Sequence, residues 1–97
     1  GRKTGVITSY TPPDFSDPDT PNGIITFGDG SSFELEYLSY TTEIISDGVK
    51  KYARAFTDDE LSSLFTGSTA SIEYCPEFYG ERYRVQKITI EQRGRFG

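Results

Sequence analysis

The sequence predicts a small all-β barrel of five main strands, with a β-hairpin inserted after the third strand and one short helix before the fourth. Three observations carry that reading. Phe33-Glu34-Leu35-Glu36-Tyr37 alternates apolar and polar residues at the period of two that a half-buried strand requires. Asp29-Gly30 and Asp47-Gly48 are hairpin-turn dipeptides, because Gly, Asn and Asp tolerate the positive φ that tight turns need. Thr57-Asp58-Asp59-Glu60 has the spacing of a capping box, in which the first hydroxyl accepts from the third helical amide and the glutamate reaches back.

The elements follow in order. Gly5 to Tyr10 is rich in β-branched residues and reads as the first strand. Thr11 to Asn22 holds four prolines and three aspartates around Phe15, a composition that withholds amide donors and favours a long loop. Gly23 to Phe27 is the second strand, and Phe33 to Tyr37 the third. Thr41–Ile45 and Val49–Phe56 flank Asp47-Gly48 as a hairpin expected to project from the barrel, its base tethered by Tyr40, Tyr52 and Phe56. After the capping box, Leu61, Leu64 and Phe65 share a helix face, and Gly67 closes the helix. Ser68 to Tyr74 alternates as the fourth strand, and Pro76 to Glu81 reads as a loop. Tyr83 to Ile90 is the fifth, with a phase shift between Val85 and Ile88 that calls for a β-bulge. The expected core is Val6, Ile25, Phe27, Phe33, Leu35, Tyr37, Ile72, Val85, Ile88 and Ile90. Residues 1–91 make one domain, with 92–97 as a basic tail or the start of a linker; Gly1 without a preceding Met is expected of one domain of a longer protein.

Composition narrows the function. Only 34% of the 97 residues are hydrophobic, but seven Phe and seven Tyr supply enough area for a small core. No apolar run reaches the ~18 residues of a membrane span, and a cytoplasmic location is the expectation. With no His and Cys75 the single cysteine, these residues hold no His-based triad, His/Cys zinc site, CxxC pair or internal disulfide. No nucleophile–base pair or phosphate-cradling Gly loop stands out, so no enzyme activity and no cofactor are expected. The net charge of −5 is uneven: residues 1–49 carry −6, whereas 82–97 carry five basic residues against Glu91. That asymmetry allows a local basic patch without a general nucleic-acid footprint.

The order of motifs resembles the cold-shock domain, a five-stranded barrel of OB type. The resemblance rests on Thr4-Gly5-Val6-Ile7, Asn22-Gly23-Ile24-Ile25-Thr26, Asp29-Gly30, Ser32 to Tyr37, Leu64 to Tyr74 and the strand from Tyr83 to Ile90, about two-thirds of the chain. It implies a non-catalytic binder of single-stranded nucleic acid, whose aromatic rings stack on bases while basic side chains neutralise phosphates. The platform is degenerate. Where the family has Lys-Gly-Phe-Gly-Phe, this chain has Thr20, Pro21, Asn22, Gly23 and Ile24; where the family presents Phe and His, it has Glu34 and Glu36; and Thr8-Ser9 replace the outward Lys-Trp of the first strand.

Binding therefore has to use an altered surface. Phe15, Phe78 and Tyr79 in the loops beside the usual face, with Arg82, Arg84 and Lys87 on the last strand, are the candidate residues, away from Glu34 and Glu36. Arg82 and Arg84 share a strand face, and the bland alternative is that these cations pair with Glu73, Glu77 or Glu81. The other functional class is a protein–protein interaction domain that has lost nucleic-acid binding, with the same loop aromatics gripping a protein partner. Asp14, Asp17 and Asp19 lack the ligand pattern of a calcium loop, so no metal is expected.

Overall fold

The computed structural model describes residues 1–18, 22–36, 42–79 and 82–94, with the side chains of 76–79 outside the description. Seven strands form: β1 (Arg2–Thr11), β2 (Gly23–Phe27), β3 (Ser32–Leu35), β4 (Glu43–Ser46), β5 (Val49–Tyr52), β6 (Thr69–Tyr79) and β7 (Arg82–Gln92). A 3-10 turn at Ala53–Ala55 and helix α1 (Asp58–Phe65) lie between β5 and β6. The sheet order is β3-β2-β1-β6-β7-β4-β5, and a further β3–β7 pairing closes five strands into a barrel. The closing pair is parallel, with Glu34 opposite Arg84. This closed barrel is compatible with an OB-like fold.

β1 serves two neighbours. Arg2 to Val6 pair with β6, whereas Ile7 to Thr11 pair with β2, and the register slips between Ile7 and Ser9. The slip leaves Thr8 and Ser9 both exposed while Ile7 and Tyr10 turn inward. Val6, expected in the core, is 47% exposed, and Ile7 fills that place. On β7 the bulge falls where the sequence phase breaks: Glu73 opposes Lys87 but Tyr74 opposes Val85, so Gln86 is the extra residue. Val85, Ile88 and Ile90 can then all face inward. Tyr37 and Tyr40 lie outside the described residues.

Inside, a chain of rings crosses the core. Phe27 meets Phe33 edge-on at 5.7 Å, Phe33 lies 4.9 Å from Tyr74, and Tyr74 lies 4.8 Å from Tyr83. Helix α1 closes the barrel against β1, with Leu61, Leu64 and Phe65 buried and Phe65 edge-on to Tyr10 at 5.6 Å. Its capping box forms as the sequence predicts: Glu60 N donates to Thr57 Oγ1 (3.1 Å) and Thr57 N donates to Glu60 Oε1 (2.9 Å). Gly67, at φ 79°, ends the helix and donates to the Ile7 carbonyl (2.7 Å).

Two expectations are corrected. The inserted hairpin does not project freely, because β4 pairs in parallel with β7, Ile44 opposite Ile88, and Ile44 is buried. β7 is long enough to give one edge to β3 near Arg84 and to β4 further along. The hairpin's base is held by Ala53 and Phe56, while Tyr52 is 43% exposed. Secondly, the stretch from Pro76, read as a loop, continues β6 to Tyr79. The ladder breaks between Tyr74 and Phe78 and then resumes, so Pro76 falls in the irregular stretch, where its missing amide costs no ladder bond. Beyond the expected limit at residue 91, β7 runs to Gln92 and Gly94 N donates to the buried Ser68 Oγ (3.0 Å).

Candidate functional site

The β2–β3 outer face carries Ile24 and Thr26 from β2 and Ser32, Glu34 and Glu36 from β3 and its end. No aromatic ring stands among these described residues, so a stacking surface for bases is missing there. The acidic pair splits in behaviour. Glu34 lies between Ile24 and Arg84 in the ladder, is only 8% exposed, and receives a bond from Asn22 Nδ2 (3.4 Å). Glu36 stays partly exposed and accepts from Arg84 Nη1 (3.3 Å).

Barrel closure decides where the predicted cations go. Because β3 and β7 run side by side in parallel, Arg82 and Arg84 border the carboxylate face rather than standing apart from it. Arg82 Nε donates to Ser32 Oγ (3.3 Å), and Arg84 also reaches Cys75 Sγ with Nη2 (3.9 Å). The separation of an acidic face from a basic one is therefore corrected: they form one seam. Lys87, across the Gln86 bulge, pairs with Glu73 (3.8 Å). At the exposures of the Arg84–Glu36 pair, such a contact stabilises the fold by no more than ~1 kcal/mol, but it neutralises both charges.

Of the aromatic candidates, Phe15 stands in the β1–β2 loop and is 68% exposed. Its loop is shaped by Asp14, whose carboxylate accepts from the amide (3.0 Å) and hydroxyl (2.6 Å) of Ser16; these bonds hold its pKa below the ordinary value. The backbones of Phe78 and Tyr79 pair with Tyr83 and Arg82, and their side chains lie outside the described residues. Asp19 also lies outside them.

One feature escaped the sequence reading. A cavity of about 300 Å³ opens beside the helix N-terminus, with Tyr10, Pro13, Leu35, Arg54, Asp58 and Leu61 among its walls. Burial, then the charge of Asp58 and a hydrogen bond to it, push the Tyr10 phenol far above its usual range, so it remains a proton donor. The inward turn of Tyr10 depends on the β1 bulge, which its local sequence does not announce. Among the described residues no three His, Cys, Asp or Glu side chains gather as a metal site. Compared with known proteins, the chain matches no family model, no curated protein and no solved structure.

Proposed function

We propose that this barrel is a non-catalytic binding module of OB-like type whose partner is a protein rather than nucleic acid. The observation that carries the reading is the β3–β7 seam, where Arg84 is paired to Glu36 and Arg82 is bonded to Ser32. A phosphate approaching these cations has to displace a carboxylate that is already seated, on a face that adds the carboxylate of Glu34. The loss of stacking rings from β2 and β3 points the same way. Phe15 on the β1–β2 loop, with Phe78 and Tyr79 at the end of β6, then supplies contacts to a polypeptide.

Single-stranded nucleic acid bound through an altered surface is the second reading, and the barrel's strand order favours it, since OB barrels bind on the face and loops at issue. A photo-crosslinking residue placed at Phe15 distinguishes them in cells that express the protein. The protein reading expects adducts that resist nuclease and yield peptides on proteolysis. Nuclease-sensitive adducts overturn it.

A further inference from the structure

We propose that Asp47, at the tip of the β4–β5 hairpin, is a site of spontaneous backbone modification: the Gly48 amide closes a succinimide ring on the aspartate side chain, and water reopens it as isoaspartate. In the first step the Gly48 nitrogen bonds to Cγ of the protonated carboxyl, and the carboxyl OH leaves with the amide hydrogen as water. In the second, water adds to one of the two ring carbonyls and breaks its bond to nitrogen. One opening restores aspartate; the other leaves the main chain running through Cβ and Cγ, one carbon longer. No oxidant, reductant or cofactor enters, and the chemistry does not depend on the partner proposed above. Three dipeptides carry the necessary groups, Asn22-Gly23, Asp29-Gly30 and Asp47-Gly48, since a following glycine has no side chain to shield its nitrogen. By chemistry alone Asn22 is the most reactive, because ammonia leaves its amide without prior protonation of a carboxylate. The fold reverses that order.

Ring closure requires Cβ to eclipse the following nitrogen, which an L-residue achieves at the ψ of about −120° found at the first central position of a type II′ turn, where φ is about +60°. Asp47 has φ 54° and Gly48 φ 77°, the signs of a type I′ turn. Turning over the one peptide plane between them converts type I′ into type II′, taking Asp47 ψ to about −120° and Gly48 φ to about −80°. Both turn types close two-residue hairpins, so the flanking strands keep their pairing, and glycine takes either sign of φ. Both residues are exposed, and a Cβ built on Gly48 would meet nothing within 4 Å among the described residues. The hydrogen-bonded pairs of the hairpin, counted from Ala53 N to the Thr42 carbonyl (2.9 Å), fall at Lys51–Ile44 and Val49–Ser46. The last of them encloses the turn, and the Gly48 amide is not among them.

The other two dipeptides are held. On the β2–β3 ladder the hydrogen-bonded pairs, counted from Phe27 N to the Ser31 carbonyl (2.8 Å), fall at Ile25–Phe33 and Gly23–Leu35, so the Gly23 amide is taken by β3. Asn22 is half-buried, its Nδ2 donates to Glu34 Oε2 (3.4 Å), and a Cβ built on Gly23 would stand 2.5 Å from the Tyr10 hydroxyl, so the backbone there is closely packed. At Asp29-Gly30 the Gly30 amide donates to the Phe27 carbonyl (3.0 Å). The Asp29 carboxylate accepts from the amide (2.9 Å) and hydroxyl (2.6 Å) of Ser31 and pairs with Lys3. Asp29 also lacks the positive φ that Asp47 has.

The test ages the whole chain in warm neutral buffer made with heavy-oxygen water, native and unfolded in guanidinium, and digests it for mass spectrometry. Incorporated heavy oxygen marks each ring opening, and fragmentation distinguishes isoaspartate from aspartate. The expected result is isoaspartate at position 47 of the native chain, with Asn22 and Asp29 slowed relative to the unfolded chain. Asp47→Asn places two Asn-Gly dipeptides in one molecule. In the native state position 47 of that variant reacts about tenfold faster than Asn22 or more, because Asn22 waits for its ladder to open, and the two rates converge in guanidinium. Gly48→Asn keeps a residue that tolerates positive φ but shields the nitrogen; it slows the reaction at Asp47 several-fold while amide exchange shows the β4–β5 pairing intact. Three results overturn the proposal: no isoaspartate at position 47 of the native chain; Asn22 reacting in native Asp47→Asn as fast as position 47; or Asp29 reacting in the native chain as fast as Asp47.

Discussion

Phe33→Ala probes the barrel at its centre. Phe33 is 5% exposed on β3, paired with Ile25, and its ring touches Phe27 and Tyr74 at 5.7 and 4.9 Å. Removing such a ring from a core costs ~3–5 kcal/mol, the spread reflecting how far the site collapses. The two ring contacts, at ~0.5–1.5 kcal/mol each, place this site in the upper part of that range. A chain of 97 residues has a total stability of roughly 5–15 kcal/mol, so this single change removes a large share. At about 4–8 °C per kcal/mol the midpoint falls by at least ~15 °C. Thermal unfolding followed by far-UV circular dichroism, with near-UV ellipticity reporting the rings, measures it. A midpoint within ~2 °C of the wild type would refute the assignment of Phe33 to the core.

Three further outcomes follow from particular contacts. Thr57→Ala removes the capping hydroxyl and lowers stability by about 1 kcal/mol in a urea titration, with an unchanged slope. Gly23→Ala places a Cβ 2.5 Å from the hydroxyl of the buried Tyr10; the overpacking costs ~1–3 kcal/mol by the same titration. Asp29 is held below its ordinary value of 3.8 first by Lys3 and then by Ser31. A folded pKa below the unfolded one gives stability that is full above about pH 4 and is lost as the pH falls through the folded value. In acid titrations followed by circular dichroism, Asp29→Asn therefore trails the wild type at neutral pH, and the difference closes below that point.

The sequence displayed the pieces that depend on near neighbours. Alternation on β3 placed Phe33 and Leu35, the Thr57–Glu60 spacing placed the start of the helix, and the broken phase called for a bulge between Val85 and Ile88, which the structure puts at Gln86. Asp47 and Gly48 both take positive φ, as a two-residue hairpin turn demands. What depends on distant pairing was not legible. The inward turn of Ile7 and Tyr10 follows from the register slip where β1 passes from β6 to β2, and the docking of β4 on β7 is a parallel pairing between segments more than forty residues apart. For the candidate site the same limit applied. Period-two reasoning put Arg82 with Arg84 and Glu34 with Glu36, but only the parallel β3–β7 pairing brings the two sets to one seam.

The most direct test of the proposed function is an amide chemical-shift titration of the protein with short poly-pyrimidine and mixed oligonucleotides, at low and at moderate salt. With the Arg84–Glu36 pair seated and Glu34 beside it, phosphate gains little from this face, and any weak contact at low salt disappears as salt screens it. The account predicts unmoved amides at Thr8, Ile24, Glu34 and Arg84 at moderate salt. Saturable shifts centred on those residues, persisting at moderate salt, would contradict it and restore the β2–β3 face as a nucleic-acid platform.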